Sequence, residues 1–220
     1  MIPPAITSDV LFRAAAVVFD LDGTLVDSAY DIAVAYCMAL SKFGFEPPPP
    51  ESLQIGPPAE KMVRDLVGSD VDEIMIADIV CEFRRYYGMS DYPATNLFPG
   101  AEELLKRLQS KGIRLFIATY KRCDLARRVL EIKGIAEFFD DIMSCERDGE
   151  RLTKHQMLAY IMETIQKPPA EIFFFGDSIT DIKAGRDLGV QTVAVLYGYE
   201  SPNELLTLQP DFVCASLDSV

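Results

Sequence analysis

At 220 residues the chain is long enough for one large hydrophobic core, or for a core with a smaller second domain. Its apolar fraction, 49%, is ordinary for a globular protein, whereas a formal net charge of −13 disfavours a general binder of nucleic-acid polymers, which needs a basic surface. The cysteines, Cys37, Cys81, Cys123, Cys145 and Cys214, are odd in number, widely spaced and without a Cys-x-x-Cys pair, which argues against a disulfide framework or a zinc site and for free thiols in a reducing compartment.

The N-terminal stretch lacks a basic n-region, and no apolar run reaches membrane-spanning length, so the expectation is a cytoplasmic protein without a membrane partner. A single histidine, His155, cannot form a histidine metal cluster and reads as structurally incidental. Residues 1–14 read as a short, weakly ordered lead-in.

The first predicted strand, about Ala15 to Phe19, runs into Asp20-Leu21-Asp22-Gly23-Thr24-Leu25-Val26. An apolar run of this kind suits a strand buried in a parallel sheet, and open parallel sheets place ligand sites beyond such C-terminal ends. Asp20 and Asp22 would share a face if the strand continued. Two adjacent carboxylates need a shared proton or a cation, and a hard divalent ion such as Mg²⁺ suits oxygen ligands. An ordinary strand-to-turn corner is the alternative at this point.

Ser28 with Asp31 three residues later resembles a capping box, and Ile32, Ala35, Tyr36, Ala39, Leu40 and Phe43 continue at helical spacing. Prolines 47–50 make a rigid connection, and two further helices are expected over Ala59–Val67 and Asp72–Tyr87. From Asp27 to about Tyr92 the pattern is helical, without a convincing strand.

After Pro99 helices and strands alternate, as in a parallel α/β sheet. Helices are expected over Glu102–Ser110, Asp124–Lys133, His155–Ile165 and Asp181–Leu188. Strands are expected over Ile113–Ala118, Asp141–Ser144, Ile172–Phe175, Thr192–Leu196 and Phe212–Cys214. The first strand belongs with these. The expected fold is therefore an α/β core of residues 1–26 and 93–220, with a parallel sheet flanked by helices, and an all-helical domain inserted over residues 27–92.

Polar residues recur where strands stop. Leu115-Phe116-Ile117-Ala118 ends in Thr119-Tyr120-Lys121, and Ile172-Phe173-Phe174-Phe175 ends in Gly176-Asp177-Ser178-Ile179-Thr180-Asp181. Lys154 opens the helix between them. A threonine at a strand end or a lone lysine is a weak signal. Asp181 also suits a helix N-terminus, which favours acids.

Taken together, Asp20/Asp22, Thr119, Lys154 and Asp177/Asp181 resemble, in order and strand context, the four motifs of the haloacid dehalogenase superfamily. The resemblance covers nearly the whole chain and implies a Rossmann-like core. The helical insertion looks like the cap of the phosphoglycolate-phosphatase-like branch, as do Phe98-Pro99-Gly100, Ile55-Gly56-Pro57-Pro58 and Asp148-Gly149-Glu150-Arg151. The last two also resemble bacterial 5′-nucleotidases of the superfamily. One departure stands out: phosphoglycolate phosphatases usually carry Asn-Lys after the second motif's hydroxyl residue, where this chain has Tyr120-Lys121.

The resemblance implies a phosphatase acting on a small phosphorylated metabolite through an aspartyl-phosphate. Asp20 is the implied nucleophile and Asp22 the general acid and base. Thr119 and Lys154 are the implied phosphoryl-binding groups. Asp20, the Asp22 backbone carbonyl and Asp177 are the implied Mg²⁺ ligands, with Asp181 orienting this shell or Lys154. Cap closure would exclude water and sense the leaving group. A phosphosugar mutase of the β-phosphoglucomutase kind shares these motifs, and a non-catalytic binding protein on the same scaffold is a third reading, weakened because no chemical position has been lost. A dehalogenase is disfavoured, since Asp22 would have no role. Tyr120, Lys121, Lys61 and Arg64 are candidates for substrate contact: the Tyr120 ring could stack on a nucleobase or pack structurally, and Lys61 and Arg64 could meet a second anionic group or be solvated. The assembly is expected to be a monomer or a homodimer.

Overall fold

The computed structural model describes residues 3–147 and 150–220. Its elements in chain order are α1 (Ser8–Leu11), β1 (Ala16–Phe19), β2 (Val26–Asp27), α2 (Ala29–Lys42), α3 (Ala59–Val67), α4 (Glu73–Met89), β3 (Asn96–Leu97), α5 (Ala101–Ser110), β4 (Arg114–Thr119), α6 (Cys123–Ile132), β5 (Asp141–Ser144), β6 (Glu146–Arg147), β7 (Glu150–Arg151), α7 (Lys154–Ile165), β8 (Ile172–Gly176), α8 (Ile179–Leu188), β9 (Gln191–Val195), α9 (Pro202–Thr207) and β10 (Phe212–Cys214). Contacts divide the chain into two compact units, one formed by the described residues up to Asp27 with Asn96–Val220, the other by Ser28–Thr95.

In the first unit every residue of β1 and of β8 is buried, as apolar strands must be when a parallel sheet is covered on both faces. The sheet has six parallel strands in the order β10-β9-β8-β1-β4-β5. Helix α7 packs its Met157, Leu158 and Ile161 into a core with Val18, Phe116 and Phe174 of the three central strands. The chain leaves this unit and re-enters it through a short antiparallel pair, with Val26 opposite Leu97 and Asp27 opposite Asn96. The quoted stretch Asp148-Gly149-Glu150-Arg151 falls partly outside the described residues. No helix among the described residues is long and apolar enough to cross a membrane.

The lead-in corrects the sequence expectation. Ile6 and Leu11 are buried, Ile6 N–H donates to the Val213 carbonyl (2.9 Å), and Val213 N–H donates to the Pro4 carbonyl (3.0 Å). The reason is the sheet edge: β10 is an outer strand with unpaired backbone groups, and the N-terminal segment satisfies some of them while burying two aliphatic side chains.

The second unit is helical. The Tyr36 ring of α2 stacks on Phe83 of α4 at 3.8 Å between centroids, and Phe83, Tyr87 and Tyr92 extend the aromatic contact. Ser28 stands at the N-cap of α2, but its side chain makes no capping bond there, so the expected capping box is absent. Asp31 is used elsewhere. Its buried carboxylate accepts from Ala94 N–H (3.1 Å), Thr95 N–H (2.6 Å) and the Thr95 hydroxyl (2.6 Å). One side chain thus ties the start of the unit to its end.

Asp31→Ala strands these donors in a buried position and should destabilise the protein by about 2–4 kcal/mol, with Asp31→Asn costing less because an amide oxygen still accepts. Urea unfolding followed by circular dichroism measures both.

Candidate active site

The chain turns where β1 stops. Asp20 N–H still donates to the Phe175 carbonyl (2.9 Å), but Leu25 and Val26 N–H fold back onto the Leu21 carbonyl (2.9 and 3.1 Å). The strand does not continue through Asp22, so Asp20 and Asp22 do not share a face as an extended strand would have made them.

The sheet order explains what gathers here. From β1 the chain first adds β4 and β5 on one side, then returns to place β8, β9 and β10 on the other. The crevice beyond the C-terminal ends of β1 and β8 is the topological switch point, where open α/β sheets bind ligands. Register sets Phe19 opposite Phe175, so Asp20 and Asp177 emerge at the same edge.

Oxygens of Asp20, Asp177 and Asp181 lie within 4.8 Å of one another. Lys154, the first residue of α7, reaches them with its side chain 1% exposed: Nζ lies 2.7 Å from Asp20 Oδ2 and 2.8 Å from Asp181 Oδ1, and donates to the Ala118 carbonyl at 2.9 Å. These partners match the three donors of an ammonium. Its helix starts where it does because Thr153 and Gln156 form a reciprocal capping box. Asp181 is aimed by the same device, since its Oδ2 accepts from Ser178 N–H (3.1 Å) and the Ser178 hydroxyl (2.6 Å). Asp177 Oδ1 accepts from the Thr24 hydroxyl (2.8 Å) and Oδ2 from Tyr199 N–H (2.9 Å).

Asp22 stands apart. Its Oδ1 is 2.8 Å from Lys121 Nζ, and the two side chains are 20% and 6% exposed. Thr119 is buried at the end of β4, and its hydroxyl oxygen accepts from Lys121 N–H (3.2 Å), which leaves the hydroxyl proton available for donation. The Tyr120 ring is partly buried against the sheet core, with Lys154 Nζ 5.4 Å from its centroid. Lys61 and Arg64 form exposed pairs with Asp65 (2.6 Å) and Glu73 (2.7 Å) in the helical unit.

Sequence reasoning missed part of this shell. Thr24 lies in the first motif, but its bond to Asp177 spans 153 positions. Gly198 and Tyr199 were not singled out, because one contributes a missing side chain and the other a backbone N–H. A Cβ on Gly198 would come 2.2 Å from Asp177 Cβ, and one on Gly23, whose φ is +80°, would come 2.1 Å from Asp177 Oδ2. Only glycine fits on either side of that carboxylate.

Burial dominates the electrostatics. It raises the Asp20 carboxyl to about 8, against the lowering effect of Lys154 and with a further rise from Asp181 and Asp177. It raises Asp177 to about 6, with Asp181 adding to the rise and the Tyr199 and Thr24 bonds opposing it. Burial alone would lower Lys154, but Asp181 and Asp20 outweigh it and hold the ammonium above the ordinary lysine range. Once all three clustered carboxylates are ionised they exceed the one ammonium by two negative charges, which a cation can balance in place of the protons. Their free lone pairs are hard oxygen donors, so the residues fit a divalent cation such as Mg²⁺.

These shifts set a sign for stability. Between about pH 4 and pH 8 the folded, metal-free protein holds protons that the unfolded chain has released, so its unfolding free energy should fall as pH rises across this window. Asp20→Asn should remove much of that slope. Because a cation competes with the same protons, Mg²⁺ should raise Tm more at pH 8 than at pH 5. Thermal melts in EDTA and in Mg²⁺ test all three outcomes.

Known proteins resemble this chain over most of its length. The family model described as haloacid dehalogenase-like hydrolase matches residues 17–195. A phosphoglycolate phosphatase from Vibrio parahaemolyticus is 30% identical over 212 residues, covering 93% of each chain. A tyrosine-protein kinase, PtkA of Mycobacterium tuberculosis, is 34% identical over 187 residues, covering 83% of this chain and 62% of that protein. Among solved structures, a predicted phosphatase from Clostridium acetobutylicum superposes with a TM-score of 0.83 at 28% identity, covering 93% of this chain and 95% of that one. The match spans both edges of the switch point, from the strand before Asp20 to the strand after Asp181, and on it the chain belongs to the haloacid dehalogenase-like hydrolases, in their phosphoglycolate-phosphatase-like branch.

Proposed function

We propose that this hydrolase is a Mg²⁺-dependent phosphomonoesterase that works through an aspartyl-phosphate on Asp20. The observation carrying the reading is graded access within one acidic cluster. Asp20 is 9% exposed, whereas Asp177 is 3% exposed and Asp181 fully buried, so Asp20 is the carboxylate of the cluster most open to a substrate.

In this reading Asp20, the Asp22 carbonyl and Asp177 would hold the ion, and what Mg²⁺ supplies when bound is relief of the repulsion between carboxylate and phosphoryl group. An Asp20 oxygen attacks phosphorus and the ester P–O bond breaks. The departing oxygen takes a proton from Asp22, which in the second step accepts one from the attacking water as inorganic phosphate is released and Asp20 is restored. Thr119 donates its hydroxyl proton to a phosphoryl oxygen. Lys154, its donors already engaged, reaches the phosphoryl group by sharing the proton now directed at Asp20. The helical unit Ser28–Thr95 takes the part of the cap, and the substrate is a small phosphorylated metabolite of the phosphoglycolate or nucleoside-monophosphate kind.

The likeness to a tyrosine-protein kinase favours one other reading, phosphoryl transfer to a tyrosine instead of to water. Release of free phosphate from small esters without nucleotide supports hydrolysis; transfer from ATP to a tyrosine peptide with no such release would select the kinase, and sugar-phosphate interconversion dependent on a bisphosphate would select a mutase.

Chelation should abolish hydrolysis, Mg²⁺ should restore it, and Ca²⁺ should inhibit through its larger, looser coordination. Asp20→Asn should eliminate acid-stable detection of a phosphorylated enzyme by mass spectrometry. Asp22→Asn should cost about 10²- to 10⁴-fold on an alkyl phosphate and far less on p-nitrophenyl phosphate, whose leaving group needs no proton. Full activity in excess EDTA, with metal absence verified, refutes the cation's role.

A further inference from the structure

We propose that Lys121 is a positioning residue for Asp22, giving the proton-transferring carboxylate its own fixed cation, separate from the one that serves the nucleophile. The proposal deepens the reading of Asp22 as acid and base and rests on it.

The two lysines of the site pair with different carboxylates. Lys154 is committed to Asp20 and Asp181, whereas Lys121 Nζ sits 2.8 Å from Asp22 Oδ1. Topology brings the second pair together. Asp22 lies three residues beyond the end of β1 and Lys121 two beyond the end of β4, and these strands are hydrogen-bonded neighbours with Phe19 opposite Ile117. A lysine in a loop at a sheet edge ordinarily keeps its ammonium in water, yet the Lys121 side chain is only 6% exposed, which is costly without an anionic partner. The backbone adds to the restraint, since Lys121 N–H donates to the Thr119 hydroxyl (3.2 Å) and so fixes the start of the side chain relative to β4.

The chemical need is equally specific. Asp22 stands just before a turn, beyond the end of β1, and its side chain is more exposed than the clustered carboxylates. Without the Lys121 ion pair its side chain would have one restraint fewer on its choice among staggered rotamers. Rotation towards the cluster would bring a fourth carboxylate to Asp20, Asp177 and Asp181, and rotation outwards would remove the proton donor from the leaving oxygen. A charged hydrogen bond to Lys121 favours an orientation that keeps Asp22 outside the cluster of Asp20, Asp177 and Asp181. Placement of a general acid is worth rate only when it is maintained as the ester bond breaks.

A double-mutant cycle separates positioning from binding. With Mg²⁺ present, kcat and KM are measured on ethyl phosphate and p-nitrophenyl phosphate for the parent, Lys121→Met, Lys121→Arg, Asp22→Asn and Asp22→Asn/Lys121→Met, with Tm recorded for each. The expected result is a loss of kcat for Lys121→Met of at least about tenfold on ethyl phosphate and much less on the aryl ester. In the Asp22→Asn background the same change should alter either substrate by less than about twofold, because the group it positions is gone. Lys121→Arg should restore part of the ethyl phosphate rate, and it carries the test if the Met variant does not fold. A raised KM of equal size in both backgrounds would make Lys121 a substrate contact and overturn the proposal, as would equal loss on both esters with a lowered Tm. If Asp22→Asn itself fails to discriminate between the esters, the acid–base reading falls and the positioning role with it. If Asp22→Asn discriminates and Lys121→Met does not, only the positioning role falls.

Discussion

A single buried ammonium holds the active edge of this protein together. Lys154 leaves the first turn of α7 and spends its donors on the Ala118 carbonyl at the end of β4, on Asp20 beyond β1 and on Asp181 in the first turn of α8. Four segments that are distant in sequence meet at one nitrogen. A lone ammonium buried to this depth would be strongly unfavourable, and so would three neighbouring carboxylates without a cation. Each makes the other tolerable, and the remaining imbalance of charge creates a place for a divalent ion. The fold supplies rigid supports for this arrangement: capping boxes at Thr153 and Ser178 fix where the two helices begin, and therefore where Lys154 and Asp181 stand.

The same economy of support appears around Asp177. Thr24 and the Tyr199 backbone hold its two oxygens, and the glycines at 23 and 198 let the chain come close enough to do so. Orientation of these carboxylates by their neighbours matters as much as their identity, because a carboxylate that can swing does not define a coordination site. Asp22 stands outside this cluster with Lys121. This edge of the sheet thus has two cationic centres, Lys154 beside Asp20 and Lys121 beside Asp22. An acidic protein can in this way handle an anionic substrate, since the local charges and not the net charge of −13 set the field the substrate meets.

The helical unit has its own closure device. Asp31 joins the beginning of α2 to the segment at Ala94 and Thr95, so that the unit's two ends are tied by charge-assisted hydrogen bonds. Stacked aromatic rings of α2 and α4 supply its core. Its exposed Lys61 and Arg64 are already paired with carboxylates.

The order of apolar strands, the helical block between the first strand and the rest, and the acidic residues at strand ends were all legible in the sequence. The signals are local: apolar runs of strand length, helical spacing of core residues and glycines at helix ends. Helix α3 and strand β5 have the bounds that this pattern predicts. What local pattern could not decide was partnership. Asp31 three residues after Ser28 has the spacing of a capping box but accepts hydrogen bonds from residues more than sixty positions away. Asp20 and Asp22, two apart, would share a face in an extended strand, yet the turn after Phe19 sends them to different lysines. The N-terminal lead-in is weakly patterned in sequence, but an open sheet edge gives Pro4 and Ile6 hydrogen bonds, and Ile6 and Leu11 are buried. Sequence determined which residues were available for chemistry, because composition at strand ends is a local property. Tertiary structure decided which of them act together, because ion pairs and backbone donors depend on distances that only the packed sheet defines.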